Sequence, residues 1–150
     1  MANWLFHFGW AGSLVILCGS LVSSLPYRDR NGGKYSILNH FISELGEVGV
    51  SKLAVIFNCS MILGGLMFLP FIIRLGLALA NIWGYIGTAA GLLASVSSIF
   101  VGIFSMERME PHRKAAMTFF RSGLLTVLFF TISVFVQSSD QRAIPLIVNV

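Results

Sequence analysis

Residues 82–104 read IWGYIGTAAGLLASVSSIFVGIF, a run without a single charged side chain. About 20 consecutive apolar residues suffice for an α-helix to cross the roughly 30 Å hydrocarbon core of a bilayer, and this run is long enough. Gly87 and Gly91 form a GxxxG pair, and small residues continue at Ala94, Ser95, Ser98 and Gly102. Lipid tails are as apolar as the side chains of such a helix, so helices associate in a membrane by close packing rather than by escaping water. A stripe of small residues permits that approach. The run is therefore read as a transmembrane helix whose Gly87, Gly91, Ser95, Ser98 and Gly102 face turns toward other helices.

Three further runs have the same character. They cover about 4–25, 53–73 and 119–137, making residues 82–104 the third of four full spans. Pro26 closes the first and Arg74 follows the second, whose internal Pro70 is tolerable because neighbouring helices can satisfy the carbonyl it frees. The first run is not read as a signal peptide: no Lys or Arg precedes Arg28, and the apolar stretch is too long. Residues 143–150 are again apolar but too short to cross, and read as the start of a possible fifth span, cut short. Composition agrees. Only 11% of the 150 residues are charged, where a soluble domain would have about a quarter. The expected fold is all-α, an integral membrane helix bundle forming a single transmembrane domain over residues 1–150.

Between the first two spans lies a polar stretch, Tyr27 to Lys52. Arg28-Asp29-Arg30-Asn31-Gly32-Gly33 is turn chemistry. Beyond it Ile37, Leu38, Phe41, Ile42 and Leu45 recur at helical spacing, which predicts a short amphipathic helix at the membrane surface or folded back onto the bundle. Alternation of the spans puts this connection on the same side as the polar stretch Ser105 to Lys114. Arg28, Arg30, Lys34, Lys52, Arg108, Arg113, Lys114 and Arg121 gather there, against Arg74 and Arg142 on the other side. The positive-inside rule then places both connections in the cytoplasm and the termini outside.

A net charge of +4 and a pI near 9.5 do not signify nucleic-acid binding here, because the cations sit in short connections between apolar runs. Cys18 and Cys59 lie inside apolar runs, form no CxxC knuckle and read as small hydrophobes. Any site belongs on the face of the two polar stretches. His40 and Glu44 are four residues apart, so a helix would put them on one face, and Glu107, Glu110 and His112 crowd the third connection. Such acids and imidazoles can bind a cation or move protons. The plainer reading is a solvated set paired with Arg108, Arg113 and Lys114, and with no HExxH spacing neither a metal nor a cofactor is assigned. Asn58, inside the second span, needs a partner and should face the interior in an interhelical hydrogen bond. Arg121, one turn into the fourth, can snorkel to headgroups or bind a phosphate. Asn58 alone is comparably deep among the polar residues of the spans, which argues against a transport path.

The stretch His40-Phe41-Ile42-Ser43-Glu44-Leu45-Gly46, then Phe57-Asn58, then Gly102-Ile103-Phe104 followed by His112, resembles the clan of DRAM (damage-regulated autophagy modulator), Frag and Sfk proteins, and most closely its prokaryotic branch, domain of unknown function 998. The order of motifs matches over roughly residues 36–120. The resemblance implies a bundle usually of six helices and marks Ser43, Glu44, Gly46, Asn58 and His112 as the positions to watch. Eukaryotic relatives are linked to lipid remodelling, membrane lipid asymmetry and autophagy, and are usually drawn with a cytosolic N-terminus, opposite to the charge count of this chain. The functional expectation is a polytopic membrane protein that binds lipid headgroups through Glu44, His112 and Arg121, or an accessory subunit docking on other membrane proteins through its third helix. The rival is a membrane-embedded lipid enzyme using His112 with Glu44 or Glu107.

Overall fold

The computed structural model describes residues 3–139; the apolar residues 143–150 lie outside them. Four α-helices make up the described residues: α1 His7–Ser24, preceded by a 3-10 turn Asn3–Phe6, α2 Ala54–Leu79, α3 Ile82–Ile103 and α4 Met109–Ser139. No strand occurs among the described residues. All four helices are long and apolar enough to cross a bilayer.

The helices extend past the apolar runs. α2 continues through Arg74 to Leu79, because Arg74 is turned inward and buried rather than ending the span at the surface. α4 begins at Met109, ten residues before the expected span, so Glu110, His112, Arg113 and Lys114 lie on its first turns and the third connection shrinks to residues 104–108. Pro70 sits inside α2 without ending it.

Packing follows chain order: α1 lies on α2, α2 on α3, and α3 on α4, while α1 forms no packed interface with α3 or α4. Small residues make each contact. A Cβ on Gly12 would press on the Gly64 carbonyl, and one on Gly19 would enter the Ser60 side chain. Gly91 holds Ile72 of α2 and Thr126 of α4 on either side, Gly87 receives the Phe130 ring, and Gly102 lies against the backbone of Asn58. The Ser98 hydroxyl donates to the Met61 carbonyl at 3.1 Å, tying α3 to α2, and Ser95 donates to Gly91 in its own helix at 2.8 Å. Hydroxyls can be buried here because a carbonyl accepts from each.

The α2–α3 connection is only residues 80–81. Ala80 closes α2 in the left-handed region, φ 45°, its N–H donating to the Gly76 carbonyl at 3.0 Å. Asn81 then caps α3, its side-chain oxygen accepting from Gly84 N at 3.0 Å and from the Ser133 hydroxyl at 2.9 Å. One asparagine thus joins the ends of α2, α3 and α4. A small core of Tyr27, Leu45, Phe57, Met61 and Val101 fills the other end of the bundle, beneath the long α1–α2 connection.

Candidate functional site

The α1–α2 connection, residues 25–53, folds over the end of the bundle as a hydrogen-bonded cap. Within it runs a short 3-10 turn, Ile42–Gly46. Leu45 points down into the core at 1% exposure, whereas Leu38 is 94% exposed and Ile37 and Phe41 are also on the surface. The apolar spacing therefore splits between a buried anchor and an exposed rim.

Glu44 organises the turn. One carboxylate oxygen accepts from the Phe41 N–H at 2.8 Å, and the other from the buried Tyr27 hydroxyl at 2.9 Å. Burial, and next the bond to Glu44, push the Tyr27 phenol far above its ordinary range. Gly46 follows, and its carbonyl accepts from the Asn58 amide of α2 at 3.0 Å. A Cβ on Gly46 would collide with the Asn58 side chain and the Phe57 ring. The Ile-Ser-Glu-Leu-Gly stretch and the Phe57-Asn58 pair are thus two halves of one clasp. The Ser43 hydroxyl completes it at 3.7 Å from the Met106 sulfur.

His40 is not aligned with Glu44. Its imidazole meets Asp29 at 3.3 Å and stacks on Tyr35. The backbone N–H of Gly33, helped by that of Asn31 and by His40, holds the Asp29 carboxyl below the usual carboxylate range. Glu47 pairs with Arg30 at 2.6 Å. From the other connection Glu107 accepts from Ser105 at 2.6 Å and from Val48 N at 3.3 Å, and the Ser105 hydroxyl is the main reason its carboxyl is depressed. Between the two connections an open cleft of about 760 Å³ has Arg30, Glu47 and Glu107 on its walls.

His112 lies under the cap, 5% exposed, with Nδ1 at 2.7 Å from the Phe104 carbonyl. A carbonyl can only accept, so Nδ1 is the donor in this bond. The bond stitches the start of α4 to the end of α3. Glu44 and Glu107 send their hydrogen bonds elsewhere, and no group of three His, Cys, Asp or Glu able to hold a metal occurs among the described residues. Arg121 stands apart, exposed on α4. The structure therefore brings Ser43, Glu44 and Asn58 together with Gly46, puts His112 at the neighbouring helix joint, and leaves Arg121 outside the cap.

Sequence reasoning passed over Tyr27, Asn81 and the α1 stripe of Gly12, Gly19 and Ser23. Asn81 stands just before an apolar run, a helix-start signal, and the α1 stripe repeats at helical spacing. Tyr27 had no local signal, since its partner Glu44 is 17 residues away.

No curated protein and no solved structure matches the chain. A family model, described as protein of unknown function DUF998, matches residues 8–148, which takes in the cap clasp and all but the first residue of the four helices. The chain belongs to the DUF998 family.

Proposed function

We propose that the chain is a membrane-embedded scaffold whose capped face binds anionic lipid headgroups. One observation carries the reading: on that face the acids are all consumed internally, while several of the cations are not. Asp29, Glu44, Glu47, Glu107 and Glu110 each bond to the protein's own N–H, hydroxyl or guanidinium groups. Lys34, Lys52 and Lys114 there, and Arg121 further along α4, meet no carboxylate among the described residues. The face thus offers free positive charge beside the exposed Ile37, Leu38 and Phe41, a combination suited to the headgroup boundary. Each such cation near an anionic surface is worth about 1 kcal/mol. The charge bias favours a cytoplasmic position for the face, and there anionic lipids concentrate. The resemblance of its motifs to the DRAM, Frag and Sfk clan, whose eukaryotic members are linked to lipid remodelling, supports the same reading.

The enzyme reading asks for a carboxylate beside the His112 imidazole, and the hydrogen bonds of Glu44 and Glu107 give it no support. A subunit reading based on α3 has to contend with the fact that its small-residue face is already filled by α2 and α4. The test is native mass spectrometry in an uncharged detergent with equal phosphatidylglycerol and phosphatidylcholine. The chain should retain phosphatidylglycerol preferentially, and a variant with Lys34, Lys52, Lys114 and Arg121 all changed to Gln should lose that preference. Equal retention of both lipids by the unaltered chain would remove the reading.

A further inference from the structure

We propose that Arg74, at the end of the bundle opposite the cap, binds a phosphate oxyanion. Arg74 is 6% exposed, and its Nε has no hydrogen-bond partner among the described residues. No acidic side chain among the described residues pairs with it. Its one described interaction is with the Phe6 ring, 5.0 Å from the guanidinium carbon. A ring face attracts a cation but cannot accept hydrogen bonds in the plane of the guanidinium fork. A buried charge is tolerated only when paired and hydrogen-bonded, and inside a membrane the requirement is stricter. The planar fork of Arg matches two oxygens of one phosphate.

Position narrows the ligand class. Arg74 lies five residues before the end of α2 at Leu79, about 7 Å inside that end by the helical rise. Trp4, Trp10 and Trp83 are exposed at the same end of the bundle, and tryptophans gather where acyl chains meet headgroups. A lipid phosphate is therefore available at the depth of the guanidinium, and free phosphate in the adjoining water offers the same chemistry. This site is separate from the capped face, where no tryptophan lies.

The test compares thermal unfolding of the full chain and Arg74→Met in maltoside micelles, followed by tryptophan fluorescence. Met keeps much of the stem volume and removes the charge. In bare micelles Arg74→Met should melt at or above the unaltered chain, because deleting an unpaired buried charge relieves its desolvation. Adding phosphatidylglycerol should then raise the unaltered chain by about 5 °C more than it raises Arg74→Met. The same excess with inorganic phosphate alone would identify a free anion; an excess with the lipid only would identify the headgroup. The four-Gln variant of the capped face should keep that excess. Three results overturn the proposal. Arg74→Met could melt well below the unaltered chain in bare micelles, showing the guanidinium already satisfied. Asp140→Asn could lower melting as much as Arg74→Met, with no further loss in the double variant, making Asp140 the counter-ion. Or the rise could survive in full in Arg74→Met and vanish in the four-Gln variant, which would place the lipid on the capped face and leave the proposed function standing.

Discussion

Gly46 and Asn58 are 12 residues apart in sequence, and their hydrogen bond closes the cap onto α2. Removing the amide leaves the Gly46 carbonyl without its partner, and such a loss costs about 1–3 kcal/mol. Asn58→Ala should therefore lower thermal stability and expose the 25–53 connection to protease. Unchanged cleavage there would show that the clasp does not hold the cap. Tyr27 gives the cap a pH dependence with a definite sign. Its folded pKa is raised, so its contribution is complete below the unfolded value near 10 and is lost as pH rises through the folded value. Unfolding curves should show falling stability above about pH 10, and Tyr27→Phe should remove most of that alkaline loss. Equal alkaline loss in both chains would assign it to another group. The motif residues of this clasp were legible as a pattern, Ser43-Glu44-Leu45-Gly46 with Asn58. Their joint structural role was not, because it depends on a backbone carbonyl and on Tyr27, which no spacing rule selects.

At the scale of helices, the α3 stripe was legible because GxxxG has a physical meaning in lipid, but the occupant of the stripe was not. Gly91 receives Ile72 and Thr126 from this same chain. Gly91→Leu should thus unfold the monomer in detergent, lowering its melting temperature by several degrees for a loss of about 1–3 kcal/mol from overpacking. A stable, folded Gly91→Leu monomer would mean that α3 can part from its neighbours. The α2–α3 turn makes the opposite prediction. Ala80 occupies the left-handed region at φ 45°, which costs an L-residue about 1–2 kcal/mol and glycine almost nothing. Ala80→Gly should raise stability by up to about 1 kcal/mol, the unfolded-state entropy of glycine offsetting part of the gain. A decrease would show that the Ala80 methyl packs usefully. Helix ends were less legible than helix middles for one reason: Arg74 and the first turns of α4 are charged yet helical, and charge marks the edge of an apolar run rather than the end of hydrogen bonding.

At the scale of the molecule, hydropathy gave the four spans of the described residues and their alternation, which by itself brings residues 25–53 and 104–108 to one end. It could not give the row-like order of packing, because every helix carries small residues and only the fold decides which stripes meet. Sidedness also remains a matter of charge, and it decides which leaflet each proposed lipid contact would use. Eight of the ten Lys and Arg residues sit on the capped half, against which Asp29, Glu44 and Glu47 weigh little, since acids contribute little to orientation. In a Cys18→Ser, Cys59→Ser background, Asn31→Cys at the exposed tip of the cap should react with a membrane-impermeant maleimide only after the cells are opened. Trp4→Cys, at the Arg74 end, should react in intact cells. The reverse pattern would turn the molecule over. The free cations of the cap would then face the outer leaflet, where anionic lipid is scarcer, and Arg74 would meet the richer supply. Labelling thus ranks the two anion sites by the lipid each can reach, independently of whether either binds.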